Sequence, residues 1–558
     1  MSNAAILMHP DGYDTRGRRL MGRQSAGEGF LKGLLRHADV DRFHLWNFTD
    51  LPTAALDRLV ERIEPPRRPV RWIANRPDLK EPGVAFLPGP ALGEEAWLRR
   101  PLGPRRYGLC GVTHTTATDR VMDAFSDLMT GPVEPWDALI CTSSAVRQST
   151  ERQFELIRED LKARLGATRF ASPMVTTIPL GVHAADFAPD PQARRSWRER
   201  LGIPQDGLVA FSMGRVTVSG KMNPASAALA LQQAAERCQA RLYWIVAGWS
   251  ETEELGERVH GLTRALCPSV TYIPVDGRPA DTRFSIWSAG DVFISLSDNI
   301  QETFGLTPVE AMAAGLPAVV SDWDGYRDTV RHGVDGFRIP TLAPRAGLGR
   351  DLAYQYAAGR LNYDTYIAVT TQVTSVDPAQ TVSALSRLFL DPELRRRMGE
   401  AGRKRAAEVF DWSVVIPQYQ ALWAEQNARR LAAIRAGEPI AGPSFDPTRP
   451  DPFELFAGYP TKVLRPDHRL AIAPGLSWSG AQARLGHDLA TMMGKFLPSP
   501  AEVEQVFEAL ARAGHASVHD LVAPFGPRAP IVERGLVWML KFEVLTLLGQ
   551  GELPAERG

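Results

Sequence analysis

Short apolar runs alternate with longer amphipathic stretches along most of the 558 residues. Runs bounded by turn residues predict strands at Ala5–Met8, Leu139–Thr142, Thr176–Ile178, Leu208–Ser212, Leu242–Ala247, Val270–Ile273, Val292–Leu296 and Ala318–Ser321. Between them, apolar residues recurring at helical spacing predict helices such as Ala225–Cys238 and Thr307–Ala314. Strands alternating with helices point to parallel sheets covered on both faces. The pattern separates into two α/β blocks, residues 1–190 and 200–412. The linker Phe187-Ala188-Pro189-Asp190-Pro191 divides them, because its prolines deny the chain both helix and ladder hydrogen bonds. A helical stretch, Ser413–Arg435, falls in residues 413–440, and a proline-rich linker, Gly442–Pro452, leads into a tail of residues 450–558. In the tail, Ala501–Ala513 and Ser517–Ala523 predict helices, and Ile531–Leu548 predicts a third that passes toward a strand. That order is mainly helical and winged-helix-like.

Composition changes this picture little. Hydrophobic residues make up 44% and charged residues 23%, which excludes a mostly disordered chain. Lys+Arg and Asp+Glu both number 64, so the formal net charge is zero and a general nucleic-acid coat is disfavoured. Residues 1–200 hold 29 basic against 25 acidic residues, whereas residues 441–558 hold 11 against 13. The basic clusters Arg16/Arg18/Arg19/Arg23, Arg67/Arg68/Arg71 and Arg99/Arg100/Arg105/Arg106 make the first block a candidate for peripheral membrane contact. An acidic tail argues against a DNA reader and suits homo-oligomerisation or partner docking. The four cysteines are widely spaced, which argues against a disulfide framework or structural zinc. Met1–Ile6 lacks the basic and apolar regions of a signal peptide, so the expected location is cytoplasmic, at most peripheral at the inner membrane face.

Four stretches carry chemistry. In Gln301–Pro317 a strand feeds a turn, and Pro308 falls where a helix would begin. The backbone N–H groups of Thr303, Phe304, Gly305 and Leu306 then form an anion site, flanked by the carboxylates of Glu302 and Glu310. From spacing alone, a helix cap with a surface glutamate serves equally well. In Phe211–Lys221 a strand ends in a glycine turn, with Arg215 and Lys221 placed to hold a departing diphosphate or to be ordinary surface charges. His114 in Gly111–Thr116 stands at a strand end, where a lone histidine serves a structural role or faces the cleft between the blocks. Met21–Gly33, rich in glycine, follows the first strand and lets backbone approach a phosphate or sugar. Its spacing fails the dinucleotide fingerprint. Asp322-Trp323-Asp324 is a literal DxD, but no metal is expected there.

Glu302, seven residues, then Glu310, within ETFGLTPVEAMAAGLPAVVSD, closely resembles the signature of glycosyltransferase family 4. Ser288–Ile294, the turn His332–Phe337 and the junction Val175–His183 resemble that family's neighbouring segments, with Leu180-Gly181 where it usually has Asn-Gly. The resemblance spans roughly residues 5–430. It implies the GT-B fold, two Rossmann-like domains facing a cleft, and a retaining transfer of sugar from a nucleotide-sugar donor to an acceptor such as a glycan, lipid-linked saccharide or protein. It implies catalytic roles for His114, Arg215, Lys221 and Glu302. Donor contacts would come from Gly27, Gly29, Thr303, Phe304, Gly305, Leu306 and Glu310. Neither cofactor nor metal is expected beyond the nucleotide-sugar co-substrate. The segment Ala26-Gly27-Glu28-Gly29 departs from the family's paired glycines. An alternative is a catalytically idle GT-B scaffold that binds a glycan or partner through its tail.

Overall fold

Ala5–Met8 (β1) is buried at all four positions, as a strand with helices on both faces must be. A computed structural model of the chain describes residues 3–16, 22–171, 173–218, 220–437, 439–440, 442–492 and 494–549. The chain divides into two units, Met1–Pro447 and Thr448–Gly558.

The first unit contains two parallel sheets. In the first lobe, β1 is joined by Phe43–Asn47 (β2), Val70–Ile73 (β3), Val84–Leu87 (β4), Gly108–Val112 (β5), Ala138–Cys141 (β6) and Met174–Thr177 (β7), in the order β3-β2-β1-β4-β5-β6-β7. In the second lobe, Leu208–Arg215 (β8), Leu242–Trp249 (β9), Val270–Asp276 (β10), Val292–Ser295 (β11), Ala318–Ser321 (β12) and Gly336–Ile339 (β13) run β10-β9-β8-β11-β12-β13. Every pair in both sheets is parallel. This is the doubly wound arrangement twice over, with switch points at β1/β4 and β8/β11, where such sheets bind ligands. Two such lobes in contact across a cleft make the GT-B architecture.

The expected strands are present, shifted by at most a few residues at their ends. Periodicity missed β2, β3, β4 and β13, and for β5 it marked only the end at His114. His44 and Asn47 break the apolar run of Phe43–Asn47 although four of its five residues are buried, whereas Val70–Ile73 is an edge strand that buries only Ile73 and exposes Arg71.

Trp412–Ala436 is a helix that leaves the second lobe and returns to the first. Trp412, Val415, Ile416, Tyr419, Leu422 and Trp423 enter the first lobe's core beside Phe30, Phe86 and Ile140. Burying six large apolar side chains at about 1.5–3 kcal/mol each makes this crossing a principal tie between the lobes. The Gln426 amide, also buried, donates to the carbonyls of Leu109 and Trp136 at 2.8 and 2.9 Å.

Two expectations about basic surface are corrected. Arg99 is fully buried in a two-pronged ion pair with Asp137, at 2.6 and 2.7 Å, and Arg100 is buried beside Glu134. A guanidinium so placed braces helix against strand and faces no membrane. Arg71 pairs with Glu81, while Arg18 and Arg19 lie outside the described residues. Among the described residues, no helix is long and apolar enough to cross a membrane.

In the second unit, Arg469–Ile472 (β16) lies between His515–Ser517 (β17) and Leu545–Leu547 (β18), all antiparallel. A small pair in the first unit, Thr341–Leu342 (β14) with Ser375–Val376 (β15), precedes these in the chain. The helices Pro500–Ala513, Val518–Val522 and Ala529–Lys541 pack a core of Leu470, Val506, Leu510, Leu521, Leu536 and Met539. Helix, strand, two helices and strand follow the winged-helix-like order. The middle strand, however, comes from upstream, so among the described residues no hairpin wing joins the last two strands. The third predicted helix stops at Lys541, where Phe542 and Glu543 (φ 54°) turn the chain into β18.

Candidate active site

The site forms where β8 and β11 part. Arg215 is the last residue of β8, Lys221 stands in the loop that follows, and Glu302 stands in the loop after β11. Lys221 Nζ and a Glu302 carboxylate oxygen form an ion pair, both side chains largely buried. Burial alone would push Glu302 up. The Lys221 ammonium and the N–H groups of Thr303 and Phe304 hold it below the usual carboxylate range. Lys221 is correspondingly held well above its ordinary value, so the pair stays ionised. An Arg215 guanidinium nitrogen donates to the carbonyl of Gly220 at 3.2 Å, which keeps a second cation beside the first. Arg215, Lys221 and Ser295 line one hollow together with Met222, Trp244 and Tyr272.

The helix Leu306–Ala313 begins at Gly305, whose φ is 87°. A Cβ there would lie 2.1 Å from the Tyr326 ring, so both backbone and neighbour demand glycine. No side chain caps this helix. The expected amide cradle is thus partly occupied: the Thr303 and Phe304 N–H groups already serve Glu302, and Gly305 and Leu306 begin the uncapped turn. The Phe304 side chain is 1% exposed and packs edge-on to Phe410, so only its backbone N–H, as expected, faces the turn. Glu310 lies one turn into the helix, and burial raises its carboxyl to about 7 despite Arg283 and Lys221 nearby.

His114 follows β5 on the first lobe, half-buried. Burial with Arg23 nearby lowers it to about 4, so its imidazole is neutral at physiological pH. The lobes meet around it. The Thr303 hydroxyl donates to the His114 carbonyl at 3.0 Å, Thr142 donates to the Thr303 carbonyl at 3.4 Å, and Ser144 donates to Asp328 at 2.7 Å.

Gly27 and Gly29 require correction. They lie inside the helix Gly22–His37, not in a loop. A Cβ on Gly27 would sit 2.0 Å from the Gly12 carbonyl, and one on Gly29 would sit 3.1 Å from the Trp412 indole nitrogen. These glycines let a helix pack closely. The Met21 at the head of that stretch lies outside the described residues. Asp322 and Asp324 part company as well: Asp322 pairs with Arg338 at 3.4 Å, while Asp324, buried and held well above its usual value, accepts from Ser143. Among the described residues, no cluster of three or more His, Cys, Asp or Glu side chains suits a metal ion.

Several residues escaped sequence reasoning. Asn299 accepts the N–H groups of Gln301 and Glu302 at 2.9 and 3.2 Å and donates to the Lys221 carbonyl, tying the two halves of the ion pair. Gln301 donates to Gly220 at 2.8 Å. Asp298, raised to about 7 by burial, accepts the N–H of Asn223 at 3.2 Å. The only sequence signal was their position directly before Glu302.

The fold is that of a GT-B protein, and its cleft gathers two cations, two carboxylates and an uncapped helix start. Residues 213–348 match the family model described as Glycosyl transferases group 1. Among similar proteins are the D-inositol 3-phosphate glycosyltransferase of Streptomyces bingchenggensis, 26% identical over 269 residues, covering 47% of this chain and 50% of that one. Another is the alpha-maltose-1-phosphate synthase of Mycolicibacterium smegmatis, 24% identical over 299 residues, 53% of this chain and 65% of that one. The chain spans about half the length of the first curated relatives it matches. The sucrose-phosphate synthase of Thermosynechococcus elongatus aligns in structure with a TM-score of 0.49 at 16% identity, covering 76% of this chain and all of that one.

Proposed function

We propose that this protein is a retaining glycosyltransferase of family 4 that moves a sugar from a nucleotide-sugar donor to an acceptor hydroxyl. The observation that carries this reading is the Lys221–Glu302 pair beside Arg215, roofed by the His114 loop of the opposite lobe. In the proposal Arg215 and Lys221 receive the diphosphate, whose charge grows as it departs. Glu302 binds sugar hydroxyls, and neutral His114 orients the sugar from the first lobe. Glu310 binds the ribose. The base has room in the hollow of about 490 Å³ at the ends of β9 and β10, where Trp249 neighbours Arg215 in register.

The acceptor oxygen bonds to the anomeric carbon on the face from which the diphosphate leaves. The bond to the phosphate oxygen breaks, and that oxygen takes the acceptor's proton. Configuration is retained and atoms balance. No metal is invoked, because two fixed cations face the leaving group. The relatives' names, glycosyltransferase and synthase, support the reaction class.

A panel of nucleotide sugars, followed by nucleoside diphosphate release, tests the proposal. Arg215→Ala, Lys221→Ala and Glu302→Ala should each lower turnover at least about a hundredfold, by loss of a preorganised contact to developing charge. Wild-type rates in all three overturn it. Nucleotide binding without turnover in the unaltered chain favours the idle scaffold instead.

A further inference from the structure

Between β13 and the helix Pro378–Leu390 the second lobe makes an excursion, residues 341–376, clamped at its base by the β14–β15 pair. It carries two helices, Arg350–Ala357 and Tyr363–Gln372. The first buries no residue and the second only Ile367 and Thr371. An element with so little buried apolar surface opens at low free-energy cost. Its hold on the cleft is polar and aromatic instead. Four of the chain's 11 tyrosines lie here: Tyr354, Tyr356, Tyr363 and Tyr366.

Tyr356 and Tyr366 stack with centroids 4.3 Å apart and planes 6° from parallel. That stack fixes the Tyr356 hydroxyl, which accepts the backbone N–H of Asp119 on the first lobe at 2.9 Å. Asp119 begins the helix Asp119–Thr130, so its N–H has no partner within that helix. Tyr363 reaches the neighbours of the candidate site residues. Its hydroxyl donates to Gln301 Oε1 at 3.0 Å, with the Thr115 side chain against the same hydroxyl. Gln301 in turn donates to the Gly220 carbonyl. Each partner adjoins a site residue: Thr115 follows His114, Gln301 precedes Glu302, and Gly220 precedes Lys221.

We propose that residues 341–376 form a two-helix lid that closes the cleft by latching Tyr356 to the Asp119 amide, and that Tyr363 is a positioning residue setting Gln301, and through it Glu302 and Lys221. The proposal rests on the functional reading above, because a lid over a transfer site excludes the water that would otherwise hydrolyse the donor.

Hydrogen–deuterium exchange on the full chain tests the latch without any ligand. Tyr356→Phe keeps the ring stack and removes the acceptor oxygen, so exchange should rise together in residues 115–122 and 363–372. Tyr363→Phe should raise exchange across 299–305. UDP-glucose, UDP-N-acetylglucosamine and GDP-mannose then serve as donor probes. With whichever the unaltered chain consumes, Tyr363→Phe should lower kcat about tenfold while KM stays within about twofold, the signature of lost positioning rather than lost binding. Tyr356→Phe should raise the share of donor lost to hydrolysis. Unchanged exchange in both paired segments overturns the lid, and a wild-type kcat in Tyr363→Phe overturns the positioning role. If no probe is consumed, the functional reading loses its support, while the exchange results still decide the lid and, through 299–305, the role of Tyr363.

Discussion

Lys221 and Glu302 show why two surface-like charges in the sequence become a site in the fold. Each alone would be costly to bury, and together, with Asn299 and the Thr303 and Phe304 amides, they remain ionised. Lys221→Met therefore leaves Glu302 without its counter-charge. It should destabilise the first unit by about 3–5 kcal/mol, whereas Lys221→Met combined with Glu302→Gln should recover part of that loss. Thermal unfolding of the two variants beside the unaltered chain checks the ordering. Glu310 carries a pH consequence. Its folded value of about 7 lies above the ordinary 4.5, so the native state binds more protons between those values and loses stability as pH rises through that window. Glu310→Gln, always neutral, should raise Tm by about 2 °C or more at pH 8 and leave it nearly unchanged at pH 4.5. If Glu310 binds the ribose in its charged form, donor KM in the unaltered chain should also climb as pH falls below about 7.

At the scale of elements, the helix Trp412–Ala436 decides how the lobes are held. Trp412 is 1% exposed and faces three glycines, since a Cβ on Gly29, Gly33 or Gly181 would fall within 3.1 Å of it. Trp412→Ala should cost about 3–5 kcal/mol, seen as a lower unfolding midpoint, because the backbone around those glycines cannot fill the void. Gly33→Ala should harm stability from the other side, with its methyl 2.7 Å from Trp412 Cβ. The glycine-rich stretch after β1 was legible as a place where backbone approaches something closely. What it approaches is an indole and a carbonyl of the same chain, which only the packing of the distant helix reveals. Likewise most strands with clean apolar runs were legible, although β4 was not, whereas β2, with a buried histidine in its run, and β3, an edge strand with an exposed arginine, escaped.

On the scale of the whole molecule, the chain comprises a two-lobed unit and a smaller unit with its own core. Limited proteolysis should cut within residues 442–451, a mostly exposed stretch of turns and irregular chain between the two units, and leave both fragments resistant. Rapid loss of the smaller fragment would show that its core does not hold alone. The zero net charge reads differently at this scale too. Part of the first block's basic clusters lies in buried ion pairs such as Arg99–Asp137 rather than on the surface, although each pair takes up one acidic residue as well and leaves the surplus unchanged.

The sequence by itself determined the two α/β blocks, because burial on both faces of a parallel sheet leaves uninterrupted apolar runs. It also located Arg215, Lys221, Glu302 and Glu310, since their spacing around strand ends is local. Only the tertiary structure decided which neighbours meet them. Asn299, Gln301, Tyr363 and the His114 loop meet through contacts far apart in the chain, such as Thr303 with His114, 189 residues away. No periodicity records such pairings, for they depend on how two separately formed lobes and one returning helix come to rest against each other.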